Sequence, residues 1–146
     1  MKARIVAALV VLGLLLVPKW EAPVAHAQVA THNVCLGPDK WTYHENSSSA
    51  LTDTTVHASC GTGKFNYVCS ISSSTNAATA YSLIIEDSTT ATIIGPLYLE
   101  AVAGRGFHLD LSGSGGKRQT TAATLISVTT TGAIAHSIDI QGACGN

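Results

Sequence analysis

The part of the chain that most constrains the fold runs from Lys64 to Asp87, where two short segments alternate between apolar and polar residues. Apolar side chains occupy every second position, first at Phe65, Tyr67, Cys69 and Ile71 and then at Tyr81, Leu83 and Ile85. This period of two is typical of strands with one buried face. The connection between the segments is small and polar, which predicts an antiparallel pair joined by a loop. One face of the pair therefore needs a second sheet to cover it.

The first 27 residues have the three parts of an export signal. Lys2 and Arg4 precede an apolar run of 13 residues, Ile5 to Val17, and Ala25-His26-Ala27 matches the small-x-small pattern that signal peptidase cleaves. Because a membrane-spanning helix needs about 20 apolar residues, this run is too short to remain as an anchor. We expect a signal peptide over 1–27, a mature chain starting at Gln28, and no stable membrane insertion after cleavage.

The charge of the predicted mature chain excludes one class of partner. Residues 28–146 carry five basic and eight acidic residues, a net charge of −3, and only Lys117 and Arg118 are adjacent basic residues. Binding to a phosphate backbone needs clustered positive charge, so we do not expect nucleic acid as a partner. A chain of this length has room for one core.

All four cysteines lie after the predicted cleavage site, at Cys35, Cys60, Cys69 and Cys144. An even number of cysteines in a small exported domain is typical of two disulfides, and predicts a secreted, periplasmic or virion-associated protein. Three connectivities are open. The alternation places Cys69 in the core, while Cys35 and Cys144 lie near the two ends and could tie them together. None of the spacings is C-x-x-C, so we expect neither a metal site nor a cofactor.

The rest of the mature chain also consists of short strand-like segments. Trp41 and Tyr43 alternate in a short strand, and Thr54 to Ala58 leads into the Gly61-Thr62-Gly63 turn, which should fold it back on the segment from Phe65 to Ile71. Later segments are Thr92 to Ile94, which Gly95-Pro96 should end, the alternating Phe107 to Leu111, Thr124 to Thr130, and Ile134 to Ile140.

About eight short strands with Gly and Pro turns predict an all-β fold: a two-sheet antiparallel β-sandwich, jelly-roll-like and stabilised by disulfides. We expect residues 28–53 to form an N-terminal extension with a short strand, and residues 54–146 to form the sandwich. Thr124 to Ile140 contains a single charged residue, Asp139. Strands with so little charge should be central in the sheets or covered by a partner, which predicts self-association.

Few residues suggest chemistry. His108 and Asp110 share the outward face of one strand, and a serine or threonine from elsewhere could complete a nucleophilic arrangement, but no strand-to-helix turn presents a nucleophile. Glu86 and Asp87 could act with Glu100 as paired carboxylates or bind calcium, yet adjacent strand residues point to opposite faces, which favours a solvated strand end.

The remaining candidates also have simple structural interpretations. His136 shares the apolar face of the last strand, so we expect a core imidazole with one backbone partner. Gly113 to Lys117 lacks the phosphate-loop spacing and is expected to be a flexible connection. Trp41, Tyr43 and Tyr98 could act as stacking platforms for a sugar.

Several segments together resemble a known group of proteins. They are Gly63 to Ile71, Tyr81 to Glu86, Ile94-Gly95-Pro96-Leu97, Ala103-Gly104-Arg105-Gly106 and Gly132-Ala133-Ile134. In order and composition they resemble small β-sandwich structural proteins of tailed phages and prophages, over about Thr54 to Gln141. The chain departs from that pattern by lacking cysteines after the second core strand and in the penultimate strand, which leaves the partner of Cys69 open.

This resemblance implies a virion-associated role without a known active site. We therefore expect a non-enzymatic, exported or virion-associated structural or adhesive module that self-associates or decorates a larger particle, with no catalytic residues. The alternative is a secreted carbohydrate-binding module that binds a surface glycan.

Overall fold

A computed structural model describes residues 33–88 and 91–146. The predicted signal peptide, 1–27, and the predicted start of the mature chain lie outside the described residues. The described part contains nine strands: β1 (Lys40–Ser47), β2 (Thr54–His57), β3 (Phe65–Thr75), β4 (Tyr81–Asp87), β5 (Ala91–Leu99), β6 (Arg105–Asp110), β7 (Lys117–Arg118), β8 (Ile126–Thr130) and β9 (His136–Gly145). Two short 3-10 turns, Val34–Leu36 and Ser112–Ser114, complete the assigned elements.

The strands form two antiparallel sheets. Sheet A has the order β1-β9-β3-β6, with β7 also paired to β3, and sheet B has the order β2-β8-β4-β5. Four of the strand pairs together form a long two-stranded ribbon whose tip is the β4–β5 hairpin. These pairs are β1·β9, β2·β8, β3·β6 and β4·β5. Rolling the ribbon adds the pairs β3·β9 and β4·β8. This nested order is a jelly roll, so the predicted disulfide-stabilised sandwich is confirmed.

Two predicted strand pairings are wrong. β3 lies in sheet A and β4 in sheet B, so the segments between Lys64 and Asp87 do not pair with each other. β2 pairs with β8 instead of folding back on β3. In a rolled ribbon most connections cross from one sheet to the other, and the small residues 76–80 form such a crossing. The two segments therefore cover each other as opposite layers.

A bulge in β3 changes which of its residues face the core. The register against β9 shifts between Val68 and Ser70, and as a result both Val68 and Ile71 are fully buried between the sheets. Cys69 faces the other side of sheet A, where it is buried in a small cluster with Cys35 and Ala143. The prediction that Cys69 lies in the main core is therefore wrong.

The main core fills the space between the two sheets. Its members are Trp41, Leu51, Val56, Val68, Ile71, Tyr81, Leu83, Ile85, Ile93, Leu99, Ile126, Val128, Ile138 and Ile140. β8 and β9 are central strands, as the sequence allowed, so their lack of charge does not require a partner. Burial of the apolar face of β8 and β9 between the sheets accounts for their lack of charged residues.

Two segment boundaries differ from the prediction. β5 continues through Gly95 and Pro96 because it is an edge strand, where proline costs no ladder hydrogen bond, and the shifted register there accommodates Gly95 at a φ of 113°. β1 is not part of an extension outside the sandwich, since all eight of its residues pair with β9.

The two disulfides join Cys35 to Cys69 and Cys60 to Cys144. The two ends of the described chain are thus each tied to the middle of the sequence rather than to each other. Disulfides fit an oxidising extracellular or periplasmic environment. Within the described ranges there is no helix with the length and apolar character needed to span a membrane.

A buried polar network closes one end of the sandwich. Asp87 is 1% exposed and accepts hydrogen bonds from Thr120 N (2.9 Å), Thr120 Oγ1 (2.5 Å), Thr121 N (2.6 Å) and Thr124 Oγ1 (2.7 Å). Burial alone would raise the pKa of Asp87, but the hydrogen bonds from the three threonines outweigh it and lower the pKa. The carboxylate fixes the segment that leads from β7 into β8. The predicted solvated strand end is wrong for this residue.

Replacement of Asp87 by asparagine should destabilise the fold by about 1–3 kcal/mol, because the hydrogen bonds from Thr120 and Thr121 lose a charged acceptor and an NH2 group replaces the oxygen that accepts from Thr124 Oγ1. The folded-state pKa of Asp87 is below its usual value. Its contribution to stability is therefore complete above about pH 4 and is lost as the pH falls through the folded-state pKa. Urea unfolding at several pH values should show that Asp87→Asn weakens this acid-dependent loss.

Exposed Asp53 is the matched control, since Asp53→Asn should change the free energy of unfolding by less than about 0.5 kcal/mol. Equal stabilities of the Asp87→Asn and Asp53→Asn variants would contradict a structural role for the Asp87 carboxylate.

Candidate functional site

The outward side of sheet A presents a continuous surface of short polar side chains, which we call the polar face. The strand register places its residues in three rows: Thr42, Gln141, Ser70 and Asp110; His44, Asp139, Ser72 and His108; and Asn46, Ser137 and Ser74. All are exposed or half-buried, and no lysine or arginine interrupts the rows. The face therefore offers hydroxyl, amide, imidazole and carboxylate groups side by side.

Hydrogen bonds organise the middle row. His44 Nδ1 donates to Asp139 Oδ1 at 2.6 Å, and Asn46 Nδ2 donates to His44 Nε2 at 2.8 Å. These roles assign the proton of a neutral His44 imidazole to Nδ1. On the other side of the row, Ser72 Oγ lies 2.8 Å from His108 Nδ1. The strand pairs thus hold these exposed side chains in defined positions.

A cleft of about 350 Å³ borders the polar face where the Val34–Leu36 turn lies against the sheet. Leu36 is 74% exposed and lines this cleft with Lys40, Ser70, Gln141 and His108. The cleft combines exposed Leu36 with the polar groups of the rows, so it can contact both kinds of ligand surface.

Two links hold this turn on the sheet. The Cys35–Cys69 disulfide joins it to β3, and Asn33 Nδ2 donates to Ser112 O at 2.7 Å. Gly116 packs beneath the disulfide at a φ of 86°, and a Cβ there would come within 2.8 Å of Cys35 Sγ. The position requires glycine for both conformation and space.

The Asp110 carboxylate is hydrogen-bonded to a neighbouring loop residue, Ser112. Its Oδ1 accepts from Ser112 N at 2.8 Å and from Ser112 Oγ at 2.6 Å. These hydrogen bonds, with a smaller contribution from the charge of His108, lower the pKa of Asp110. The carboxylate therefore orients the Ser112–Ser114 turn instead of His108.

The sequence analysis allowed for a serine beside His108 but could not identify it. In the structure this serine is Ser72, whose hydroxyl lies within hydrogen-bond distance of His108. The pair lies on an open sheet face, and β3 uses its backbone N–H groups in pairing with β6 and β9. Stabilisation of an oxyanion needs free N–H groups aimed at the reacting atom. The backbone N–H groups of β3 that pair with β6 and β9 are therefore engaged in the sheet.

The three carboxylates considered as a possible group, Glu86, Asp87 and Glu100, do not converge. Asp87 faces the interior, while Glu86 points out of sheet B and accepts from Thr129 Oγ1 at 2.7 Å. Glu100 follows β5 and is exposed. The alternation that separates Glu86 from Asp87 is the one expected from the sequence.

The aromatic residues do not form one platform. Trp41 is buried in the core, Tyr43 is half-buried, and Tyr98 is 78% exposed on sheet B, the opposite layer. Burial and the neighbouring Glu45 carboxylate raise the pKa of Tyr43 to about 12. Stacking of one sugar chain across these three rings is excluded by their positions.

His136 is buried as its position in the pattern predicts. Its Nδ1 donates to Ile134 O at 2.8 Å, and its ring stacks on Tyr81 with a centroid separation of 5.4 Å. The segment from Gly113 to Lys117 runs from the Ser112–Ser114 turn into β7. Among the described residues, the other ring nitrogen of His136, Nε2, is buried without a hydrogen-bond partner, and His136 borders a cleft of about 320 Å³.

The sequence analysis missed His44, Ser72 and Asp139. His44 and Asp139 are 95 residues apart, and Ser72 and His108 are 36 residues apart. Their outward position on alternating strands was readable, but their proximity depends on a register that the sequence does not specify.

Comparisons with protein-family models, with curated proteins and with solved structures found no match for this chain. The resemblance to small structural proteins of tailed phages stays a prediction from the residues quoted above.

Replacement of His108 by alanine should change the free energy of unfolding by less than about 0.5 kcal/mol, because its side chain is exposed. The matched change His136→Ala should cost at least about 2 kcal/mol, since it removes a buried ring and a hydrogen bond. Urea unfolding measures both. A His108→Ala variant that loses stability like His136→Ala would contradict the small effect expected of an exposed side chain, and one that loses an ester-hydrolysing activity of the parent would contradict a non-catalytic polar face.

Proposed function

We propose that this protein is an exported, non-catalytic adhesive module that attaches to a larger particle or cell surface through the polar face and its adjoining cleft. The observation that carries the proposal is the continuous set of exposed and half-buried polar side chains, most of them short, across four strands of sheet A. Short side chains lose little rotamer entropy when they are immobilised against a partner. A rigid sheet presents them without further ordering.

Three other features support an exported role. Two disulfides suit an oxidising compartment, and residues 1–27 have the pattern of a cleavable signal peptide. Jelly rolls occur in viral capsid and lectin domains, so this architecture is compatible with a particle component. The resemblance to tailed-phage structural proteins points to a virion as the particle.

Self-association is a weaker part of the proposal. It was expected because the β8 and β9 segments carry little charge, but both strands are central in their sheets. The proposal therefore depends on binding to a particle or cell surface and not on a particular oligomer.

Carbohydrate binding is the second candidate function. The middle row places a carboxylate, two imidazoles and a hydroxyl in one line, and the 350 Å³ cleft lies beside it. Such groups match the hydroxyls of a glycan, and exposed Leu36 could contact the apolar face of a sugar ring. Trp41 and Tyr43 give no support, since neither is an exposed stacking platform.

An arginine at Ser72 should block binding, because it places a long charged side chain at the centre of the polar face. We expect Ser72→Arg to weaken binding at least about tenfold, which corresponds to 1.4 kcal/mol. Thr92→Arg, on the exposed side of sheet B, is the matched control and should bind like the parent. The probes are washed cells of the producing strain and particles sedimented from its culture supernatant.

Periodate treatment of the same probes separates the two candidates, because it cleaves vicinal diols of sugars. Loss of parent binding after periodate would assign a glycan ligand, and retained binding would assign a protein surface. If Ser72→Arg and Thr92→Arg bind equally well, the polar face is not the binding surface and the proposal fails.

A further inference from the structure

The Cys60–Cys144 disulfide lies beside the imidazole of His57. One ring nitrogen of His57 and the two sulfur atoms all lie within 4.8 Å of one another, and the three residues are half-buried. Two thiolates and one imidazole are a common donor set for zinc. Among the described residues, no comparable group of His, Cys, Asp and Glu surrounds Cys35–Cys69.

Asn66 holds the imidazole in place. Its Nδ2 donates to Ala58 O at 3.2 Å and to Thr124 O at 3.1 Å, which fixes the orientation of the amide. Its Oδ1 then accepts from His57 Nδ1 at 2.8 Å. Because Nδ1 carries the proton of this hydrogen bond, Nε2 is the ring nitrogen left to bind a metal, and such a hydrogen bond to a carbonyl oxygen is the usual support of a metal-binding histidine. Asn66 itself is 1% exposed, so the support is rigid.

The same Asn66 oxygen also lies 2.9 Å from Cys60 Sγ, so it contacts both His57 Nδ1 and one sulfur atom of the disulfide. On the other side, Trp41 stacks on His57 with a centroid separation of 4.8 Å and an interplanar angle of 9°. The ring is therefore held by a hydrogen bond and by stacking, and its position does not depend on the disulfide.

From this geometry we infer that reduction of the Cys60–Cys144 disulfide creates a Cys2His zinc site with His57. A dithiol reductant supplies two electrons and two protons, leaves two thiols on the protein and becomes a disulfide itself. Binding of Zn²⁺ then forms two Zn–S bonds and one Zn–N bond and releases the two thiol protons. A water molecule completes the tetrahedron.

The local backbone permits this change. Two sulfur atoms bound to one zinc ion are about 3.8 Å apart, so opening the disulfide requires only a small displacement. Cys60 lies in the connection between β2 and β3, where Gly61 and Gly63 have positive φ values of 98° and 74°. Cys144 is fixed on β9, so we expect the Cys60 side to move.

Cobalt binding to the reduced chain tests the inference. The full mature chain is reduced with dithiothreitol, freed of reductant by anaerobic gel filtration and titrated with Co²⁺. We expect one tetrahedral cobalt per chain, seen by its thiolate charge-transfer and visible d–d bands, and its displacement by Zn²⁺. The oxidised chain should show neither band.

Three variants locate the site. The double variant Cys60→Ser/Cys144→Ser should lose the bands, and His57→Ala should bind at least about tenfold more weakly. The matched control Cys35→Ser/Cys69→Ser should bind like the reduced parent. A folded reduced parent without bands, a His57→Ala affinity within twofold of the parent, or loss of binding in the control would each overturn the inference.

A second measurement tests the inference if the reduced chain unfolds. Refolding is then compared with Zn²⁺ and with EDTA, followed by circular dichroism and iodoacetamide labelling. Zinc should restore the β-sheet signal and protect Cys60 and Cys144 in preference to Cys35 and Cys69. Failure to refold with zinc, or equal labelling of the two pairs, would also overturn the inference.

Discussion

The antiparallel pairing of β3 with β9 is the interaction on which both sides of sheet A depend. Its inner side contributes Ile71, Ile138 and Ile140, which are at most 1% exposed in the main core. Its outer side contributes the serines of β3 and the Asp139 and Gln141 side chains of β9 to the polar face. Because a one-residue slip would exchange these two sides, burial of the isoleucines also fixes the polar face.

Each disulfide anchors one strand of this pair to a connecting segment. Cys69 of β3 holds the Val34–Leu36 turn, which forms one wall of the cleft, and Cys144 of β9 holds the connection after β2. The polar face needs no ordering of flexible loops, since β1, β9, β3 and β6 supply it directly. The paired strands therefore hold the polar groups of this surface in fixed positions.

The local periodicity of the sequence was sufficient to predict strands and an all-β sandwich, and the even number of cysteines was sufficient to predict two disulfides. It could not predict the partners, because neighbouring segments were assumed to pair. β3 and β4 are adjacent in sequence but lie in different sheets, and the best partner of β3 is the last strand. Closing such distant pairs costs chain entropy that only the complete core offsets. The bulge after Val68 likewise reversed the side predicted for Cys69.

The candidate site was predictable only in part, for the same reason. His108 and Asp110 were recognised as outward neighbours on one strand, whereas Ser72 joins His108 through the β3·β6 register and His44 joins Asp139 through β1·β9. Asp87 was misjudged because its threonine partners come from a segment more than 30 residues away. The structural role of a polar residue on a strand thus depends on its cross-strand neighbours.

Carboxyl labelling of the bound protein tests most directly whether the polar face is the binding surface. Carbodiimide and glycinamide are applied to the protein free and bound to particles or cells, and peptide mass spectrometry measures the labelled fraction at each carboxylate. Binding through the polar face should reduce labelling of Asp139 and Asp110 severalfold and leave exposed Asp53 and Glu100 unchanged. Unchanged labelling of Asp139 and Asp110, with protection of Asp53 or Glu100, would contradict it.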